Sequence, residues 1–169
     1  MSFSLNKDKA VNSLLFVVHK LIKADKHKTY KILYFADQKH LVKYGRPIMG
    51  DTYFKLEFGP VPSFVKNIVD ENIHGLEEVV AVYHQYYIKA LKEPDLDLLS
   101  ESDIECLNEA IIENKDLDFD ALTKKSHDYA YENASWPLDY IDIAKTITDD
   151  PALLNFVSQQ INNDRIVLR

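Results

Sequence analysis

Cysteine, glycine and long apolar runs are the scarce features of this 169-residue chain. The one cysteine, Cys106, excludes an internal disulfide and a thiolate zinc site, and it suits a reducing cytoplasm. Set within Ile104–Ile112, it reads as a small core residue and not as a reactive thiol. Glycine occurs only four times, which argues against a fibrous or disordered chain. The most apolar early stretch, Leu14–Val18, ends at His19 and Lys20, far short of the roughly 20 residues a membrane span needs. Met1–Ala10 has no signal-peptide apolar region. A phosphate-cradling glycine loop, a Gly-x-Ser-x-Gly elbow and a His-Glu-x-x-His pair are all missing.

What is present fits one mainly α (α+β) domain over residues 1–169. About 46% of residues are hydrophobic, with ten tyrosines and eight phenylalanines, enough to fill one core. Val11, Leu14, Leu15, Val18, Leu21 and Ile22 recur at helical spacing and predict a helix over 7–24. A polar break at 25–28 precedes a second helix over 29–43. There Tyr30, Leu33, Tyr34, Asp37, Leu41 and Tyr44 share one face that should be buried. Gly45 is placed to end that helix, and Arg46-Pro47 forces an extended exit. Residues 51–59 favour a strand, Gly59-Pro60-Val61-Pro62 a rigid turn, and Phe64, Val65, Ile68, Val69 and Ile73 a third helix ending at Gly75. A small antiparallel β element follows, from Val79–Val82 and Tyr86–Ala90.

Beyond Pro94, Ser102 with Glu105 has the pattern of a capping box for a helix over 103–114. Further helices are expected over 119–127, over 139–147 and, started by Asp150-Pro151, as far as Gln160. Residues 162–169 read as an extended or frayed tail.

The net charge of −7 is unevenly placed. Residues 1–92 hold 14 Lys/Arg and 9 Asp/Glu, whereas residues 93–169 hold 6 and 18. These are either solvated faces that partly neutralise each other, or an acidic half that attracts a basic partner. Overall acidity disfavours direct nucleic-acid binding.

Asp37 and His40 are the only close acid–imidazole pair on a helix. They admit a structural role, partner binding, or a metal-dependent hydrolase, although a metal needs more ligands than these two. Asp37 falls on the buried face and so requires a donor; Arg46 is the expected one, pinning the loop 45–49 to the second helix. Ser126-His127 is not a nucleophile pair by position, because adjacent helical residues diverge by roughly 100°. Trp136, beside Pro137, is either a core plug, the expected use, or an exposed anchor.

The segment Lys31-Ile-Leu-Tyr-Phe-Ala-Asp-Gln-Lys-His-Leu-Val-Lys-Tyr-Gly-Arg-Pro-Ile48 resembles the start of the Panacea, or SocA-like, antitoxin domain family. The later Tyr53-Phe-Lys-Leu-Glu-Phe-Gly-Pro-Val-Pro-Ser63 extends the likeness. The matching positions are Tyr34, Ala36, Asp37, His40, Leu41, Tyr44, Gly45, Arg46 and Pro47, then Gly59, Pro60, Val61 and Pro62. Ser126-His127 and Trp136 are further candidate family positions. The resemblance implies a non-enzymatic bacterial or prophage antitoxin that binds a cognate toxin protein, in some relatives handing it to a protease. It implies no cofactor. A phage accessory protein binding a host factor is the other protein-binding use. Two surfaces compete for such a partner: the loops 44–49 and 59–63, and the acidic second half.

Overall fold

The computed structural model describes residues 1–71 and 73–167. Helix α1 (Lys7–Lys20) is capped by Asn6, and α2 (Lys26–Tyr44) by Asp25, whose side chain accepts from the Lys28 amide. Gly45 ends α2 in the left-handed region at φ 76°, where a Cβ would strike the Phe156 ring. Two four-residue strands follow, β1 (Tyr53–Leu56) and β2 (Gly59–Pro62), paired antiparallel with Tyr53 opposite Pro62 and Leu56 opposite Gly59. After α3 (Ser63–Val69) comes a second hairpin, β3 (Val80–Tyr83) and β4 (Tyr87–Ala90). A 3₁₀ turn at Leu96–Leu98 leads to α4 (Glu101–Asn114) and α5 (Phe119–Ser126). The last elements are α6 (Tyr129–Asn133), α7 (Tyr140–Lys145) and α8 (Pro151–Val167). No helix among the described residues is long and apolar enough to cross a membrane.

Helix α2 is the centre of the molecule. It packs on α1, α4, α5, α7, α8 and β2. Ten consecutive residues, Thr29–Gln38, are buried, and so are His40 and Leu41. A helix enclosed on all sides needs no single apolar stripe, which explains how Lys31, Asp37, Gln38 and His40 come to lie inside.

The acidity of the second half is largely local chemistry. Asp118, Asp128, Asp139 and Asp150 each accept an amide of the helix they precede, a contact worth about 1 kcal/mol per helix. Along α4, Glu105, Glu109 and Glu113 pair with Lys39 and Lys43 of α2, so at this contact the two halves neutralise each other.

Several expectations are corrected. Helix α1 stops at Lys20 and leaves Ile22 fully exposed. The Gly59-Pro-Val-Pro segment is a strand; proline is tolerated because the two-stranded hairpin leaves a free edge. Helix α3 ends at Val69, before Glu71 adopts a positive φ. The capping box belongs to Ser100 and Asp103, two residues earlier than Ser102 and Glu105. Residues 162–167 are helical, held by the buried Ile161 and by Asp164, which accepts from the Ser4 amide at 2.6 Å. The last two residues of the expected tail lie outside the described ones. Tyr44, at 42% exposure, and Trp136, at 59%, are on the surface and not in the core. Cys106 is buried, and burial pushes its thiol up to about 11.

Candidate functional site

Most of the residues that carry the family resemblance fold into a buried scaffold; Tyr44 is exposed and Arg46 half-buried. Asp37 is fully buried, and it accepts hydrogen bonds from the amides of Ile48 (2.8 Å) and Met49 (3.2 Å) and from the Tyr53 hydroxyl (2.8 Å). One carboxylate therefore fastens α2 to the 45–50 loop and to β1. The expected Asp37–Arg46 pair does not form. The guanidinium lies instead 3.5 Å from Asp103 Oδ1 and donates to the Pro47 carbonyl. The loop is held where expected, but its own amides make the contact, because a loop entering a buried site must satisfy its backbone first. Burial pushes the Asp37 carboxyl up to about 6, against the pull of its three donors.

Asp51 was not visible from the sequence as a functional group. Pro62 precedes α3 and has no side-chain cap to offer. The Asp51 carboxylate supplies one from a distance, accepting from the Phe64 and Val65 amides and the Ser63 hydroxyl at 3.0–3.1 Å. Asp128 plays a similar part below α2, accepting from the Tyr34 hydroxyl (2.9 Å) and Gln38 Nε2 (2.8 Å).

His40 Nδ1 faces the Arg46 carbonyl at 2.7 Å and therefore carries a hydrogen. Its Nε2 lies 2.9 Å from Ser102 Oγ and 3.1 Å from Asp103 Oδ1. Lys9 of α1 also binds Asp103. Burial would raise the Asp103 carboxyl, but the adjacent His40 ring and the bonds from Lys9 and Ser100 hold it well below the usual range. Asp103→Asn is thus expected to cost about 2–3 kcal/mol at neutral pH. With the folded value depressed, that stability is present above about pH 4 and is lost on further acidification. Urea unfolding at pH 7 and pH 3 should show the wild-type advantage shrinking at the lower pH.

Asp37 and His40 do not converge on an open site; both are enclosed and bound to different partners. Among the described residues no three His, Cys, Asp or Glu side chains group to hold a metal ion. Ser126 Oγ donates to the Thr123 carbonyl, while the His127 ring stacks on Tyr131, so these neighbours do not form a catalytic pair.

Gly59 joins the second motif segment to the first. Its φ is +106°, and a Cβ would lie 2.3 Å from Ser126 Oγ and 2.7 Å from Lys31 Cε. Lys31 is 1% exposed and donates to the Pro60 carbonyl at 2.9 Å. Gly59→Ala is expected to lower stability by about 2–3 kcal/mol, from backbone strain plus displacement of Lys31 and Ser126. Thermal unfolding will read this as a lower Tm; an unchanged Tm would mean that the hairpin shifts freely.

Around this scaffold the surface is aromatic. Residues 136–138 run beside β1: the Lys55 amide donates to the Trp136 carbonyl, and the Leu138 amide to the Tyr53 carbonyl, each at 2.8 Å. The Trp136 ring packs on Phe54 at 5.5 Å, over a shallow cavity of about 200 Å³. Leu56 and Val61 wall both this cavity and a larger one, of about 850 Å³, between α2, the β1–β2 turn and α5. Phe58 (48% exposed), Phe119 (47%) and Tyr86 (66%) stand at the larger opening, with Phe58 edge-on to Phe119.

A mostly buried set of family positions thus lies beneath exposed aromatic side chains. The chain belongs to the antitoxin SocA-like, Panacea domain family, whose profile matches residues 30–132, from α2 through most of α6. No curated protein and no solved structure matches it. Trp136 lies beyond the matched residues.

Proposed function

We propose that this chain is the antitoxin of a bacterial or prophage toxin–antitoxin pair, neutralising its toxin in the cytoplasm by direct protein binding and without catalysis. The observation that carries this reading is the contrast between the motif and the surface. Gly45, Pro47 and Gly59–Pro62 are buried, which removes most of the 44–49 and 59–63 loops as contact surfaces. The large exposed side chains beside the β1–β2 hairpin are aromatic: Trp136, Phe58, Phe119 and Tyr86. Clustered exposed apolar groups are unfavourable on a solitary protein and mark contact surfaces. Tryptophan and tyrosine are also the side chains that most often dominate binding energy.

The family membership supports an antitoxin-type role, and the enclosed state of Asp37 and His40 weighs against the hydrolase alternative. A relay in which the bound toxin is handed to a protease is a second step of the same proposal. Co-expression with the product of the adjacent reading frame tests both. Restored growth together with a stable complex is the expected result. A toxin half-life shortened by the chain would add the protease step, whereas rescue with an unchanged half-life would restrict the role to sequestration. No rescue and no complex would overturn the proposal.

A further inference from the structure

The larger cavity has the make-up of a ligand site. Its volume of about 850 Å³ falls in the range of small-molecule pockets, which combine apolar walls with a few polar groups. Leu56, Phe58, Val61, Phe119 and Leu122 supply the apolar surface. Two polar side chains, both more than nine-tenths buried, contribute to the lining: Tyr30, at 6% exposure, and Lys31, at 1%. The Tyr30 hydroxyl has no hydrogen-bond partner among the described residues. The Lys31 ammonium has three donors, of which one meets the Pro60 carbonyl. Among the described residues no carboxylate forms an ion pair with it. A buried cation without an anion is costly, and so is a buried hydroxyl without a partner.

We infer that this cavity binds a small monocarboxylate with an apolar body, its carboxylate held by Lys31 Nζ and its body lying between Phe58, Phe119 and Leu122. The remaining titratable groups of the lining leave the cation free for this role. His27 of α2 is held neutral near pH 7, because burial and then the Lys31 charge push it down to about 4. Lys28 donates to the Lys115 carbonyl and Lys26 pairs with Asp70. Asp25 and Asp118 accept from the first turns of α2 and α5, and Glu57 sits in the β1–β2 turn. Tyr86 and Tyr87 complete the β4 side.

Burial lowers the Lys31 ammonium to about 7. A carboxylate beside it would raise that value again, so binding at pH 8 should take up close to one proton. Affinity should then fall about tenfold per pH unit above pH 7, until the bound-state value is reached. Binding at this cavity is read on the isolated chain and is therefore independent of toxin neutralisation.

Titration calorimetry with decanoate, decanol and decylamine tests it. Decanoate should bind about 10–100-fold more tightly than decanol, with decylamine weakest. At pH 8, buffers of different ionisation enthalpy should reveal the proton uptake. Lys31→Met should remove both the preference for the acid and the proton uptake while decanol still binds. If Lys31→Met fails to fold, the wild-type proton uptake and the loss of affinity by about tenfold per pH unit above pH 7 serve as the check. Equal binding of acid and alcohol, no proton uptake, or saturable binding of none of the three probes would overturn the inference.

Discussion

Asp37→Ala is expected to lower the unfolding free energy by about 3–5 kcal/mol, a large share of the stability of an ordinary domain. The carboxylate is the shared acceptor of two loop amides and a buried phenol. Deleting it leaves three donors without partners in a buried site, each at about 1–3 kcal/mol. A cavity beneath the loop adds to the loss. Urea unfolding measures the effect, and a drop below about 1 kcal/mol would show that the loop re-pairs elsewhere.

Asp37→Asn separates hydrogen bonding from charge. Asparagine retains an acceptor but does not titrate. The wild-type carboxyl sits at about 6 in the fold, above its unfolded value of about 3.9. Its favourable contribution is complete below about pH 4 and is lost as pH rises through 6. The stability difference between wild type and Asp37→Asn should therefore move in favour of wild type on acidification from pH 7 to pH 4, by up to about 3 kcal/mol. Burial raises Asp51 and Asp128 as well; Asp128 titrates in either protein and drops out of the comparison, whereas the Asp51 charge helps to raise Asp37, so part of the difference belongs to that pair.

Much of the fold was legible where local rules govern. Helices α1, α2, α4 and α5 follow their periodicity, Gly45 ends α2 in the left-handed region, and the β3–β4 hairpin lies within a few residues of its expected place. That hairpin turns through positive φ at His84 and Gln85 without Asn-Gly chemistry, a case of tertiary context overriding turn preference.

What escaped depends on long-range geometry. Asp51 caps a helix that begins twelve residues later, which no local pattern records. The proline-rich segment is a strand because β1 lies beside it, and the C-terminal turns of α8 are helical because they dock on the N-terminus.

The candidate site was legible as a set of positions more than as a set of roles. Asp37 was readable as a buried group that needs donors, because it shares a face with Tyr30, Tyr34 and Leu41. Its partners were not, since backbone amides carry no sequence signature. Trp136 was misplaced for a related reason. An apolar ring beside proline looks the same in sequence whether it faces the core or the solvent, and only its pairing alongside β1 brings it to the surface.

That exposure leads to the second large effect. Trp136 presents a broad ring beside Phe54 at the edge of a shallow cavity, the geometry of an anchor residue. Trp136→Ala should weaken the proposed toxin binding by about 2–4 kcal/mol, roughly 30- to 1,000-fold. The fold should change little, because the backbone bonds at 136–138 do not involve the ring. Glu109→Gln, on the α4 face paired with α2, is the matched control and should leave affinity within about twofold.

The decisive measurement is the dissociation constant for the product of the adjacent reading frame, taken with the wild-type chain, Trp136→Ala and Glu109→Gln at matched thermal stability. A loss of at least about 30-fold is expected for Trp136→Ala alone. Equal affinity for all three chains would contradict it and move the toxin contact away from the aromatic face.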